Sequence, residues 1–235
     1  MITLAPRPAS RIPIVVCAII LLNVAVVFYL ESLNPSRLLI FMLRNAVVPR
    51  VFFEPVWGVY NGVTGDVLPF FTAMFIHGNW LHLGFNMLAL AMLGPAMERR
   101  FGSVPFAVFY VACGVAASAT HVYVNSQSSL PLVGASGAIA GVFAAFVAAD
   151  LRARPFIVPI PAYAIAAAFL GLQVYSLVAE GAGGAREGGI AWWAHIGGFL
   201  AGGALYPLFN LMRRRERPPF SGEPAPAPDD RGPRG

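Results

Sequence analysis

Six stretches of this chain are long, apolar and free of Asp, Glu, Lys and Arg. They run from about Ile12 to Leu30, Gly78 to Met97, Val104 to Thr120, Val133 to Ala149, Phe156 to Ala179 and Ile190 to Leu211. A soluble fold cannot bury several such stretches, whereas a bilayer solvates them as helices. Hydrophobic residues make up 57% of the chain and charged residues 11%, against about half and about a quarter in soluble domains. The sequence therefore predicts an all-α membrane protein with six transmembrane helices.

The basic residues, which are all arginine, predict the orientation of these helices. If both termini are cytoplasmic, twelve of the sixteen arginines lie on the inside, and Arg37, Arg44, Arg50 and Arg186 lie outside. A net charge of +5 would also suit nucleic-acid binding, but the positive-inside rule accounts for it. We therefore expect a lipid bilayer, and no nucleic acid, as a partner.

The same topology divides the chain into three parts. Residues 1–11 are expected to be a cytoplasmic segment, residues 12–212 a six-helix membrane domain, and residues 213–235, rich in Arg, Pro and Gly, a disordered cytoplasmic tail. Residues 31–77 form a long first outer loop. Its apolar and aromatic residues with scattered arginines predict structure lying in the membrane interface rather than a free linker.

Two histidines and an asparagine gather at the start of the second span, which reads His77-Gly-Asn-Trp-Leu-His82-Leu-Gly-Phe-Asn86. His82 and Asn86 are four residues apart, so they share a helix face and can aim two N–H donors at one point. His77 is expected at the mouth of the helix. Ionisable groups inside a membrane are rare and usually functional, although hydrogen bonding between helices is the alternative explanation.

Ser136 lies in the glycine-rich start of the fourth span, Gly134-Ala-Ser136-Gly137. This span is about 17 residues or roughly 25 Å long, short of the roughly 30 Å apolar core of a bilayer. The helix should therefore begin below the outer surface, with Ser136 in its first turn. There the unpaired N–H groups and the helix dipole favour negative charge, as a serine oxyanion intermediate requires. A serine in a membrane helix can also act only as a small packing residue.

His195 lies near the outer end of the sixth span, with Gly198 and Gly202 following on its own helix face. The fourth span carries a matching pair, Gly137 and Gly141. Two such faces let helix backbones approach closely, and a short serine side chain needs that closeness to reach an imidazole. Helix packing around a buried structural histidine is the alternative.

Taken together, these residues suggest a hydrolase. Ser136, His195, His82 and Asn86 come from three helices, yet the arginine-derived topology puts all of them in the outer half of the membrane. They would supply a nucleophile, a base and oxyanion donors. Because no predicted span contains Asp or Glu, a Ser–His dyad is expected rather than a triad.

The chain resembles the rhomboid intramembrane proteases of the basic six-helix bacterial type. The matching motifs are His77-xxxx-His82-xxx-Asn86, Glu98-xxx-Gly102, Gly134-x-Ser136-Gly137 and Ala194-His195-xx-Gly198-xxx-Gly202. The resemblance implies Ser136 as nucleophile, His195 as general base, and an oxyanion hole formed by His82, Asn86 and the Ser136 amide, with His77 near it. It further implies a serine endopeptidase of the inner membrane that cleaves transmembrane helices of protein substrates near their outer ends, without metal or cofactor.

Two positions depart from the family pattern. Many relatives carry a Trp-Arg pair in the first loop, where this chain has Val67-Leu68-Pro69, and some carry an aromatic residue at the position of Ala140. Trp192 or Trp193 is the candidate for supporting the imidazole instead. His121 has no predicted partner, and a surface or loop-packing role is expected for it.

Three other functions compete with the protease. A catalytically silent rhomboid-like protein would bind membrane clients without cutting them, but Ser136 and His195 are retained. A small transporter would be expected to carry Asp or Glu inside a span. A haem or metal protein would need paired histidines.

Overall fold

The computed structural model describes residues 12–149 and 191–216, with side chains described through residue 212. Within these ranges the regular structure is helical, with eight α-helices and two 3-10 turns, Pro49–Phe52 and Ala73–Phe75. The α-helices are α1 (Ile14–Glu31), α2 (Pro35–Asn45), α3 (Pro55–Asn61), α4 (Pro69–Thr72), α5 (Trp80–Phe101), α6 (Ser103–Val124), α7 (Ser136–Ala149) and α8 (Trp192–Glu216). The predicted all-α class is confirmed for the described residues.

Helices α1, α5 and α6 are long and apolar enough to cross a membrane, and α7 is a shorter apolar helix of 14 residues. The predicted fifth span, Phe156–Ala179, lies outside the described residues. Helix α8 continues to Glu216. Residues 213–216, predicted as the start of a disordered tail, are therefore helical. Arginines are good helix formers and are favoured at a helix C-terminus, which explains the extension.

Helix α7 lies at the centre of the described structure. Every residue from Gly137 to Phe146 is buried. A helix that is apolar on all sides is expected in such an enclosed position. Its neighbours α6 and α8 pack against it on two sides.

Glycines set the distance between α7 and α8. A methyl group added at Gly198 would overlap the carbonyl oxygen of Gly137, and one added at Gly202 would overlap that of Gly141. On the α6 side, a methyl group at Gly137 would come within 2.5 Å of the Ala117 Cβ. The predicted close approach of the two glycine faces is therefore confirmed.

Glu98 ties three helices together at the opposite end of α5 from His82. Its buried carboxylate accepts hydrogen bonds from the backbone N–H groups of Val15 and Val16 at 3.0 and 2.9 Å, and from Ser103 Oγ at 2.7 Å. The amides of Val15 and Val16 belong to the first turn of α1, where no intrahelical acceptor exists and where Pro13 provides no side-chain cap. Glu98 thus holds α1 and α6 at one level on α5.

The segment 32–79, between α1 and α5, is folded rather than extended. One small cluster joins Val48, Val51 and Val63, and a second joins Val47 and Ala73 to Val122 of α6. These contacts pack the segment onto the helices, and its predicted position in the membrane interface stays a prediction.

The glycine contacts predict a strong response to a single methyl group. Gly198→Ala should lower the free energy of unfolding by about 2 kcal/mol or more, because overpacking forces two backbones apart. The measurement is thermal or denaturant unfolding in detergent. Gly203→Ala is the matched control on the same helix, since a methyl group there meets no atom within 4 Å. The control should be neutral or stabilise by about 0.5–1 kcal/mol through helix propensity; equal destabilisation by both variants would contradict this account.

Loss of the Glu98 carboxylate should also destabilise the protein. Glu98→Ala leaves one buried N–H group, one partly buried N–H group and a hydroxyl without their acceptor, and the loss of a buried acceptor costs about 1–3 kcal/mol. We expect a lower unfolding midpoint than for Glu31→Ala, which removes an exposed carboxylate at the other end of α1. A Glu98→Ala midpoint within error of the Glu31→Ala midpoint would refute the role of Glu98.

Candidate active site

Ser136 is the first residue of α7, which agrees with its predicted position in the first turn. The helix starts there because Gly134 has φ +118°, a backbone conformation that side-chain-bearing residues rarely adopt. Ala135 then accepts the first helical hydrogen bond, from Ile139 N at 3.0 Å. The N–H of Ser136 is among the first amides of the helix, for which the helix itself offers no acceptor.

His195 reaches Ser136 directly. The distance from His195 Nε2 to Ser136 Oγ is 2.7 Å, and the two residues are 59 positions apart in the chain. His195 lies in the first turn of α8 and is 9% exposed. In a neutral imidazole one ring nitrogen can accept a proton while the other carries one, so Nε2 is suited to accept the serine proton. The pair has the hydrogen-bond distance that a nucleophilic serine and its base require.

Trp192 packs against the catalytic candidate His195 from within its own helix. The two rings meet edge to face at 86°, with their centroids 6.0 Å apart. Such an arrangement is favourable for aromatic rings and restricts their rotation. Of the two tryptophans considered from the sequence, Trp192 therefore makes the ring contact, and Ala140 is a buried small residue of α7.

His82 lies close to Ser136. A methyl group added at Gly134 would come within 2.8 and 2.9 Å of His82 Cε1 and Nε2, and 3.8 Å from Ser136 Oγ. The start of α5 places this ring, because Asn79 caps the helix by accepting the His82 N–H at 2.8 Å. The structure thus brings His82 to the same place as the Ser136–His195 pair.

Asn86 lies one turn further along α5 and is 6% exposed. Its Nδ2 donates to the His82 carbonyl oxygen at 2.9 Å. Because a side-chain amide has two N–H donors, that bond leaves a second donor on the helix face shared with His82. His82 and Asn86 therefore share one face of α5, as the sequence predicted.

His77 is buried just before α5, with its ring centroid 4.9 Å from that of His82. Neither ring nitrogen has a hydrogen-bond partner among the described residues. Burial, and secondarily the neighbouring His82, lower the pKa of His77 to about 4. The imidazole is therefore neutral at physiological pH and can donate one N–H without bringing charge.

Two hydrogen-bonding residues near helix ends, Asn79 and Asn125, were missed from the sequence. Asn79 had a visible signal, because an asparagine directly before an apolar helical pattern is a typical N-cap. His121 was expected at the surface or packing a loop; it is buried, with its Nδ1 3.3 Å from Asn125 Nδ2 at the end of α6. Its burial excludes the surface role, and no sequence signal pointed to Asn125.

Among the described residues, Glu98 is the only acidic residue that is buried. Its carboxylate is occupied by α1 and Ser103, at the far end of α5 from His82.

Comparison with known proteins identifies the family to which this chain is similar. The rhomboid domain model matches residues 64–211, which include all the residues discussed above from His77 to His195. The rhomboid protease AarA of Providencia stuartii is 28% identical over 225 residues, covering 85% of this chain and 73% of that protein. The rhomboid protease GluP of Bacillus subtilis is 35% identical over 136 residues, covering 57% of this chain and 25% of that protein.

The family match extends over more than half of the chain. It agrees with the apolar helices, three of which can cross a membrane, and with the motifs that carry Ser136, His195 and His82. The chain is therefore a membrane protein that belongs to the rhomboid family.

Proposed function

We propose that this protein is an intramembrane serine endopeptidase whose reacting groups are Ser136 and His195. The observation that carries the proposal is the 2.7 Å distance between Ser136 Oγ and His195 Nε2. The names of two relatives, both rhomboid proteases, support the same reaction class. A serine hydroxyl is a weak nucleophile unless an adjacent base removes its proton, and His195 is placed to do so.

In the acylation step, His195 Nε2 accepts the hydroxyl proton while Ser136 Oγ attacks the carbonyl carbon of the scissile peptide bond. The carbonyl oxygen becomes an oxyanion. His195 then gives its proton to the amine nitrogen as the carbon–nitrogen bond breaks. The amine product leaves, and the remaining part of the substrate is bound to Ser136 as an ester.

In the second step, water replaces the amine. His195 accepts a proton from the water as its oxygen attacks the ester carbon, and the proton then returns to Ser136 Oγ when the carbon–oxygen bond to the serine breaks. The products are a carboxylic acid and the free enzyme. No metal or cofactor is needed to balance either step.

The oxyanion is proposed to be stabilised by His82, Asn86 and the Ser136 amide, with His77 next to them. The His82 ring lies next to Gly134, which precedes the nucleophile by two residues. Asn86 is buried on the same helix face. Hydrogen-bond donors held in a water-poor site stabilise developing charge far better than in bulk water.

The proposed topology places this site at the outer end of a six-helix domain, residues 12–212, with Phe156–Ala179 as the fifth helix. Ser136, His195 and His82 all lie in the first turns of their helices. Arg100, at the opposite end of α5, bonds Asn210 near the end of α8 at 3.1 Å. The positive-inside rule then puts both termini in the cytoplasm and opens the site to the outer face of a bacterial inner membrane.

The proposed substrates are the transmembrane helices of other membrane proteins. A carbonyl within a helix is already hydrogen-bonded and shielded, so the substrate must unwind locally before Ser136 can attack it. Gly and Pro lower the cost of unwinding. Segments that carry them near the outer membrane surface are therefore the expected cleavage sites.

Replacement of either reacting group should abolish cleavage. We expect Ser136→Ala and His195→Ala to lower kcat by at least about 10³-fold on a single-span substrate, since removal of one member of a catalytic unit costs nearly as much as removal of all. Labelling by a fluorophosphonate probe should be lost in both variants. The measurements are gel-based cleavage in detergent or liposomes and the labelled fraction of purified protein.

Ser118→Ala is the matched control. Ser118 is a buried serine of the neighbouring helix α6 and is not one of the groups proposed to react, so the control removes a buried hydroxyl and should cleave and label as the wild type does. Undiminished labelling of Ser136→Ala would contradict the protease assignment. A wild type that binds the substrate but neither cleaves it nor reacts with the probe would instead establish the catalytically silent client-binding function.

A further inference from the structure

The stretch of chain that leads to Ser136 is held by backbone hydrogen bonds to the segment 32–79. Val47 and Leu132 exchange both of their backbone hydrogen bonds, at 3.2 and 2.8 Å, as an isolated antiparallel bridge. Gly134 N donates to the Ala73 carbonyl oxygen at 2.9 Å. The last bond is two residues before the nucleophile. The backbone preceding Ser136 therefore takes its position from a part of the chain more than sixty residues earlier.

Arg50 adds a further bond to this connection. Its backbone N–H donates to the Ser128 carbonyl oxygen at 2.9 Å. Ser128 and Leu132 lie in the same short stretch between α6 and α7, so bonds from Val47 and Arg50 hold it at two points. Displacement of Arg50 would act directly on this stretch.

The side chain of Arg50 contacts two residues of its own segment, Glu54 and Trp57. Its guanidinium pairs with the Glu54 carboxylate, with Nε and one terminal nitrogen at 2.9 and 2.7 Å from Oε2. It also lies over the Trp57 ring, 5.1 Å from the centroid. A planar guanidinium can satisfy a carboxylate and an aromatic face at the same time. We call Arg50, Glu54 and Trp57 the arginine anchor.

The arginine anchor rests on a small packed core rather than on a loose loop. Val48, Val51 and Val63 are buried beneath it, with Trp57 packed against them. Gly58 of α3 lies so close to Val51 that a methyl group there would overlap the Val51 side chain. The 3-10 turn Pro49–Phe52, which contains Arg50, and α3 therefore pack as one unit, and the anchor ties the Arg50 side chain to α3 within it.

We infer that Arg50 is a positioning residue for the proposed reaction, acting through Ser128 on the stretch of chain that leads to Ser136. This inference rests on the proposed function, since it concerns the efficiency of the same serine. The contacts of Arg50 are with Glu54, Trp57 and Ser128, so it acts on Ser136 only indirectly. Its effect arises because small displacements of a reacting group lower the rate even when the fold is intact.

The expected effect is moderate. The side chains of Arg50 and Glu54 are 34% and 36% exposed, and ion pairs exposed to this extent are weak. We therefore expect Arg50→Gln and Glu54→Gln each to lower kcat by about 3- to 10-fold, with KM changed by less than about twofold. The double variant should be no slower than the slower single variant, because either change breaks the same pair.

The test measures turnover per reactive serine in the full-length protein. A fluorophosphonate probe titrates the serines that react, and kcat on a single-span substrate is divided by that number. A purely structural role would reduce the number of reactive serines and leave the turnover of each unchanged. Arg44→Gln is the matched control, because it removes the same charge from an exposed side chain in the same segment.

A lower turnover per reactive serine in Arg50→Gln and Glu54→Gln, with Arg44→Gln at the wild-type value, is the expected result. Unchanged turnover in Arg50→Gln, or effects of the two single variants that multiply in the double variant, would overturn the inference. The proposed function is judged separately by wild-type labelling and its loss in Ser136→Ala. A labelled wild type with a normal Arg50→Gln enzyme would therefore reject the anchor alone.

Discussion

The approach of α7 to α8 is the constraint on which the site depends. A serine side chain extends only one atom beyond Cβ, so its hydroxyl can meet an imidazole on another helix only if the two backbones nearly touch. Gly198 and Gly202 lie against the carbonyl oxygens of Gly137 and Gly141 and permit that distance. Any larger residue would separate the helices and lengthen the 2.7 Å contact between Ser136 and His195.

Polar contacts then determine the positions of the surrounding helices. Lipid supplies no hydrophobic force that drives one apolar helix onto another, so close packing and a few satisfied hydrogen bonds carry the association. Glu98 aligns α1 and α6 with α5 at the end away from the site. At the other end, bonds from Val47, Arg50 and Ala73 hold the backbone that leads to α7. The first set satisfies amides at the start of α1 that the helix leaves unpaired, and the second pairs backbone groups of the connection before α7.

Much of this arrangement was predictable because membrane helices follow local rules. Charge-free length predicted the helices, and the short fourth span correctly predicted Ser136 in a first turn. The extension of α8 through Arg213, Arg214 and Arg215 was missed, because an arginine run followed by Pro and Gly is typical of a disordered tail. The arginine anchor was missed as well. Arg50, Glu54 and Trp57 are spaced as on one helix, yet Arg50 lies in a 3-10 turn, Glu54 directly precedes α3 and Trp57 lies within α3.

The sequence by itself determined the membrane environment, the helical class and the chemical identity of the site residues, because apolar length and residue type are local properties. Only the tertiary structure decided that His195 Nε2 faces Ser136 Oγ, that Trp192 packs on the imidazole, and that the segment 32–79 holds the chain before the nucleophile. These facts depend on distances between helices far apart in the chain. Such distances follow from how the glycine faces pack and from which buried N–H groups find acceptors, and no local pattern specifies either.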